Sequence, residues 1–167
     1  MNTRDLGFAV AGAALVIDQA TKLLLLYGFG FAHMAPGEAV EVLPFFNLVM
    51  VKNYGFSYGL FPASGPEGTA ILASLQMLAI ALLGWWLWVS QHRLLGLGLG
   101  LVIGGALGNL VDRLIYGWVA DFFHFYALGY DWYVFNMADV AITAGVAVLM
   151  YDALLRPERV ASPRSRQ

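Results

Sequence analysis

The sequence predicts an all-α integral membrane protein, a four-transmembrane-helix bundle with a small β-sheet element on the outer membrane surface. Three observations carry this. Of 167 residues, 60% are hydrophobic and only 12% charged, which is too little charge to cover a soluble domain of this size. Four apolar stretches, roughly 6–27, 69–89, 94–116 and 136–155, are long enough to cross a hydrocarbon core, which takes about 20 helical residues. The basic residues, finally, fall almost entirely on one side of those stretches.

The first stretch follows Arg4, as the core of a cleavable signal peptide does. Its apolar run continues past Asp18 through residues 23–26 without a small-residue cleavage site, so it reads as a retained helix. Arg4, Arg93 in the turn Gln91-His92-Arg93, and Arg156, Arg159, Arg164 and Arg166 share one side. The opposite connections, about 28–68 and 117–135, hold only Lys52. Positive charge stays inside, so both termini are expected in the cytoplasm. Residues 1–156 read as a single membrane-embedded domain. Residues 157–167, with Pro157, Pro163 and three arginines, read as a disordered cytoplasmic basic tail.

The outer segment 39–61 carries Val, Phe and Leu in runs broken by Pro44, Gly55 and Gly59, the pattern of short strands and turns. A small sheet resting on the membrane would explain its apolar character. On the third span Gly96, Gly100, Gly104 and Gly108 recur every fourth residue, leaving bare backbone along one face. This stripe is expected to pack inside the bundle of a monomer rather than between copies. Trp85, Trp86 and Trp88 before the cytoplasmic turn suit one interfacial belt. Tyr116, Trp118, Tyr126, Tyr130, Trp132 and Tyr133 suit the other.

Polar residues converge where they cost most. Asp18, Gln19 and Lys22 occupy the outer half of span one; Asn109, Asp112 and Arg113 end span three, with Asp121 just beyond; Asn136 and Asp139 open span four. All fall in one layer near the outer surface, and ionisable groups in a span read first as functional. Asp18 and Lys22 are four apart and can pair on one face, which favours a structural role over substrate contact. Arg113 follows Asp112 directly, and a nearby guanidinium favours an ionised, anchoring carboxylate there. Asp121 is flanked by apolar and aromatic residues, so desolvation should raise its pKa. Asp139 lies in the first turn of its helix, whose positive end favours an anion. Carboxylates pushed apart in this way suit acid–base chemistry. The plainer alternative, a turn residue at Asp121 and a helix-start acid at Asp139, stays open on composition alone.

Four strings resemble a known family: Asp18-Gln19-Ala20-Thr21-Lys22, Gly108-Asn109-Leu110-Val111-Asp112-Arg113, Val119-Ala120-Asp121-Phe122 and Phe135-Asn136-Met137-Ala138-Asp139. They are similar, in order and placement, to the motifs of the lipoprotein signal peptidases (signal peptidase II). The resemblance spans nearly the whole chain. It implies an aspartic endopeptidase that removes signal peptides from prolipoproteins, cleaving before a cysteine that already carries a diacylglyceryl group. It assigns the catalytic pair to Asp121 and Asp139. Asn53, Asn109, Arg113 and Asn136 become polar contacts around substrate and dyad, and Asp18 and Lys22 become support. Asp112 is the rival for the first catalytic place and ranks second. The string Asn53-Tyr54-Gly55-Phe56-Ser57-Tyr58 departs from the family's pattern, placing bulky Phe56 where a small residue is usual.

The implied chemistry uses two close carboxylates sharing one proton to activate water, with no cofactor. The partners are diacylglyceryl-modified prolipoproteins and membrane lipids, and no basic stripe points to nucleic acid. The absence of cysteine excludes disulfides, thiolate zinc sites and a cysteine nucleophile. His33, His92 and His124 are too scattered to suggest a metal site. Three rivals are weaker. Ser57 with Lys52 as a serine–lysine peptidase needs two residues five apart to face each other. A transporter needs polar groups near the midplane, and a scaffold has no use for so costly a layer.

Overall fold

A computed structural model describes residues 2–55 and 66–155. Phe56, Ser57 and the 157–167 tail lie outside the described residues. Helix α1 (Thr3–Leu23) starts at Asn2, whose side chain accepts the Asp5 N–H, and it ends in a wider turn over Leu24–Gly28. Helices α2 (Pro66–Val89), α3 (Arg93–Tyr116) and α4 (Met137–Leu155) follow. All four helices are long and apolar enough to cross a membrane, as the sequence predicts. A short 3-10 turn, Phe31–His33, leads to strands β1 (Ala39–Leu43) and β2 (Phe46–Asn53). Strands β3 (Val119–Ala127) and β4 (Tyr130–Asp131) lie between α3 and α4. The four strands form one antiparallel sheet in chain order.

The glycine stripe sets how closely α1 and α3 approach. Cβ atoms added at Gly96, Gly100, Gly104 and Gly108 would strike Thr3, Gly7, Ala11 and Asp18 of α1 respectively. Backbones therefore touch at the first three positions, the contact that small residues make possible between apolar helices, and at Gly108 the Asp18 carboxylate fills the space. The opposite face of α3 uses a second glycine set that the fourfold stripe does not reveal. Gly98 and Gly105 meet Leu149 and Ala138 of α4, and Gly145 of α4 meets the Gly98 carbonyl in return. Helix α3 is thus the central member, clamped by α1 and α4, and Ala11, Leu87, Leu99 and Ile103 form its apolar core. Leu75, Leu78, Leu82, Leu114 and Ile115 stay exposed, as a lipid-facing surface requires.

The sheet corrects one expectation. Residues 117–135 read as a plain connection, yet β3 is an inner strand of the sheet and carries Asp121, which is therefore not a turn residue. The first four residues of β3, Val119 to Phe122, are all buried, so the polar–apolar alternation that marks a half-buried strand is missing. Ala120 and Phe122 pack with Leu25, Leu26 and Phe31 in a second core that joins the sheet to the end of α1.

The seam yields a direct test. Gly104→Ala places a methyl group against the Ala11 carbonyl and the Ala14 side chain, and overpacking of this kind costs about 1–3 kcal/mol. Gly12→Ala meets nothing within 4 Å and serves as the control. Thermal unfolding in detergent should show a lowered midpoint for the first variant and an unchanged or raised one for the second.

Candidate active site

The polar layer is built around a buried ammonium. Lys22 Nζ lies 2.9 Å from Asp18 Oδ2 and 2.9 Å from Asp112 Oδ2, and it donates to Asn109 Oδ1 at 3.1 Å. Gln19 Nε2 donates to both carboxylates, at 3.1 Å each. Lys22 is 2% exposed, Asp18 0% and Asp112 1%, so these groups cannot rely on water and must satisfy one another. The expected Asp18–Lys22 pair is present. The expected partner of Asp112 is corrected: Lys22 neutralises it across the α1–α3 seam, while Arg113, one residue on, points away around the helix to Gln76.

Each supporting carboxylate also fixes a backbone. Asp112 Oδ2 accepts the Ala120 N–H at 3.0 Å, and Asp18 Oδ1 accepts the Ala138 N–H at 2.8 Å. Ala120 immediately precedes Asp121, and Ala138 immediately precedes Asp139. The Lys22 cluster therefore holds the two chain segments that present the candidate dyad. Asn136 and Asp139 reinforce the second segment reciprocally: Asp139 N–H donates to Asn136 Oδ1 at 3.0 Å, and Asn136 N–H donates to Asp139 Oδ2 at 3.2 Å. This is a capping box made with an asparagine and an aspartate.

Sheet register decides what faces Asp121. Leu48 pairs with Phe123 but Val51 pairs with Asp121, so β2 carries one extra residue at a bulge. Without it Asp121 would oppose Met50, and Lys52 would be its diagonal neighbour across the strands. With it, Val51, Asn53, Val119 and Asp121 share one face, and all four line a cavity of about 730 Å³. Asn53 Nδ2 reaches Asp121 Oδ2 at 2.9 Å and the Tyr133 hydroxyl at 3.0 Å.

Asp139, Asn109 and Arg113 line the same cavity. Asn136 Nδ2 donates to Asp121 Oδ1 at 2.6 Å and to Asn109 Oδ1 at 3.1 Å, and Asn109 Nδ2 donates to Asp139 Oδ1 at 3.0 Å. An unbroken amide chain thus links the two carboxyl groups. Asp18, Lys22 and Asp112 are not in the cavity wall; they sit behind it. Lys52 lines the cavity with Nζ 5.3 Å from the centre of the Trp118 ring.

Burial is the largest influence on Asp121 and raises its pKa from 3.8 to about 7. The bond from Asn53 opposes that rise, the negative charge of Asp139 adds to it, and the bond from Asn136 opposes it. The desolvation inferred from the flanking residues is therefore present.

Two residues of the site escaped the sequence reading, one in the cavity wall and one behind it. Tyr133, assigned to an aromatic belt, bonds Asn53 and lines the cavity. Gln76, a lone amide within an otherwise apolar stretch of α2, receives the Arg113 guanidinium at 2.9 Å. Its signal was visible, because an amide inside a span needs a partner. His124, on β3, pairs with Asp131 at 3.3 Å.

Two outcomes follow from this geometry. Lys22→Met leaves Asp18 and Asp112 buried without their counter-ion, and should cost about 3–5 kcal/mol, read as a large drop in the detergent unfolding midpoint. Asp121 gives a pH dependence. Between its unfolded value of 3.8 and its folded value of about 7, the unfolded chain ionises while the native carboxyl keeps its proton. Its contribution to stability is complete below the lower value and is lost as pH rises through the upper one. Unfolding measured from pH 4 to 8 should show that Asp121→Asn removes this component of the slope.

A family model described as "Signal peptidase (SPase) II" matches residues 10–155. The "Lipoprotein signal peptidase" of Nitrobacter hamburgensis is 50% identical over 161 residues, covering 94% of this chain and 96% of that one. The protein of the same description from Beijerinckia indica is 47% identical over 158 residues, covering 95% and 93%. A solved bacterial membrane enzyme, determined by the in meso method at 1.9 Å resolution, superposes with a TM-score of 0.76 at 27% identity, covering 90% of this chain and 94% of that one. With most of its length matched by that model and by relatives near half identity, the chain belongs to the signal peptidase II family of lipoprotein signal peptidases.

Proposed function

We propose that Asp121 and Asp139 form the catalytic dyad through which this chain performs the family's reaction, removal of the signal peptide from prolipoproteins by aspartic-type hydrolysis. The single observation that carries the assignment is that both carboxyl groups line one cavity, joined through Asn136 and Asn109. Asp112, the rival, has its oxygens engaged by Lys22, Gln19 and the Ala120 N–H behind the cavity wall, which suits an anchor.

A pair of close carboxyl groups holds one proton between them, and the pair rather than either residue titrates. Desolvation of Asp121 favours the proton on that side near neutral pH. Asp139 is then the base: it takes a proton from water, whose oxygen attacks the scissile carbonyl carbon. Asp121 gives its proton to the carbonyl oxygen as the tetrahedral intermediate forms. Breakdown returns a proton to the leaving amine and breaks the peptide bond. Arg113, on the cavity wall, grips substrate carbonyls and spreads the developing negative charge, while the Asn53 amide holds Asp121. Asn109 and Asn136 keep the dyad in register, while Asp18 and Lys22 support it from behind.

The substrate is a prolipoprotein whose cysteine, just after the cleaved bond, carries a diacylglyceryl group. The enzyme works as a monomer in the cytoplasmic (inner) membrane, with residues 1–156 as one embedded domain, both termini cytoplasmic and the dyad near the outer face. The partition of Arg4, Arg93 and the tail arginines against the lone Lys52 supports that orientation. At such an interface water reaches the dyad while lipid holds the acyl chains.

Purified protein in detergent, given a diacylated prolipoprotein, tests the reading. Asp121→Asn and Asp139→Asn should each lower turnover on the order of a thousandfold or more while the unfolding transition persists. Ser57→Ala should leave turnover intact; its loss would instead install the serine–lysine mechanism. The cyclic lipopeptide globomycin, an inhibitor of the family, should block cleavage.

A further inference from the structure

We propose that Gln76 of α2 is a positioning residue that aims the Arg113 guanidinium into the active-site cavity. This rests on the reading of Arg113 as a substrate-gripping group. Gln76 Oε1 accepts from Arg113 Nη1 at 2.9 Å, and its Nε2 donates to the Ala106 carbonyl of α3 at 2.6 Å. Both polar ends of one amide are therefore spent on α3, one on its backbone and one on its arginine. The guanidinium also meets the Asn109 carbonyl one turn back, at a marginal 3.5 Å.

Geometry separates Gln76 from the chemistry itself. Arg113 lines the dyad cavity and also a second one, of about 700 Å³, between α2 and α3. Gln76 lines neither, so it reaches a bound substrate only through the guanidinium. Arginine has a long side chain with much rotamer freedom and can swing toward either cavity. A fixed acceptor on one side of the fork removes that freedom and leaves the remaining donors directed at the dyad cavity.

The alternative is that Gln76 merely staples α2 to α3 through Ala106. Three variants of the full chain in detergent separate these roles, with cleavage of a diacylated prolipoprotein resolved into kcat and KM and unfolding followed in parallel. Gln76→Met keeps the shape and removes both polar ends. Gln76→Glu keeps the acceptor for Arg113 and removes the amide donor to Ala106. Arg113→Lys keeps a charge and loses the fork. Gln76→Met should lower kcat/KM on the order of tenfold, and in the same parameter, kcat or KM, that Arg113→Lys lowers more severely. Gln76→Glu should stay within about threefold of the parent enzyme, since it retains the hydrogen bond to the charged group. The proposal is overturned if Gln76→Glu falls as far as Gln76→Met, or if Gln76→Met cleaves as well as the parent while Arg113→Lys is impaired. Full activity of Arg113→Lys would sink the Arg113 reading itself, and the role of Gln76 with it.

Discussion

One buried ammonium organises this molecule. Lys22 sits where α1 and α3 meet, and its charge is matched by Asp18 on its own helix and Asp112 on the other. Remove it and two desolvated carboxylates face each other, so the cluster can exist only complete. The same two carboxylates accept the Ala120 and Ala138 N–H groups, Asp112 through the oxygen that also meets Lys22 and Asp18 through its other oxygen. Those two bonds set the start of the strand that carries one candidate catalytic aspartate and the helix end that carries the other. The site's geometry is thereby tied to the bundle's electrostatics rather than to a loop.

This arrangement divides the carboxylates into two kinds. Asp18 and Asp112 are buried against charge and amide donors on every side, and they serve as acceptors for backbone. Asp121 is equally buried, its hydrogen bonds come from the neutral amides of Asn53 and Asn136, and burial raises its pKa to about 7. The four acids in one layer thus separate by partner: Asp18 and Asp112 meet Lys22 and hold the scaffold, while Asp121 and Asp139 meet asparagine amides and line the cavity. The glycine seam makes room for the cluster, because the Asp18 carboxylate lies where a Cβ at position 108 would stand.

The sheet contributes register. Its bulge between Leu48 and Val51 brings Asn53 rather than Lys52 beside Asp121. An ammonium in that place would favour the ionised carboxylate and remove the proton that hydrolysis needs. One inserted residue therefore decides which side chain of β2 meets Asp121. Lys52 instead lies over Trp118, at the cavity's margin.

Much of this was readable without coordinates. Hydropathy and length mark the spans because each helix must satisfy its own backbone in lipid. The Asp18–Lys22 pair follows from helical spacing, and the glycine stripe from its fourfold period. The desolvation of Asp121 follows from its apolar neighbours. Other features lie between elements distant in sequence, where local periodicity is silent. Helical spacing could not show that Asp112 answers to Lys22, 90 residues away across a seam (112 − 22). A strand buried at its start shows no alternation, so β3 was hidden, and with it the pairing that presents Asp121. The bulge, the reach of Gln76 to Arg113 and the amide chain between the carboxyl groups depend on which backbones lie side by side. The chain's own residues determine which groups cannot be left in lipid unpaired; only the packed fold decides with whom each is paired, because that choice is made across distances no local pattern spans.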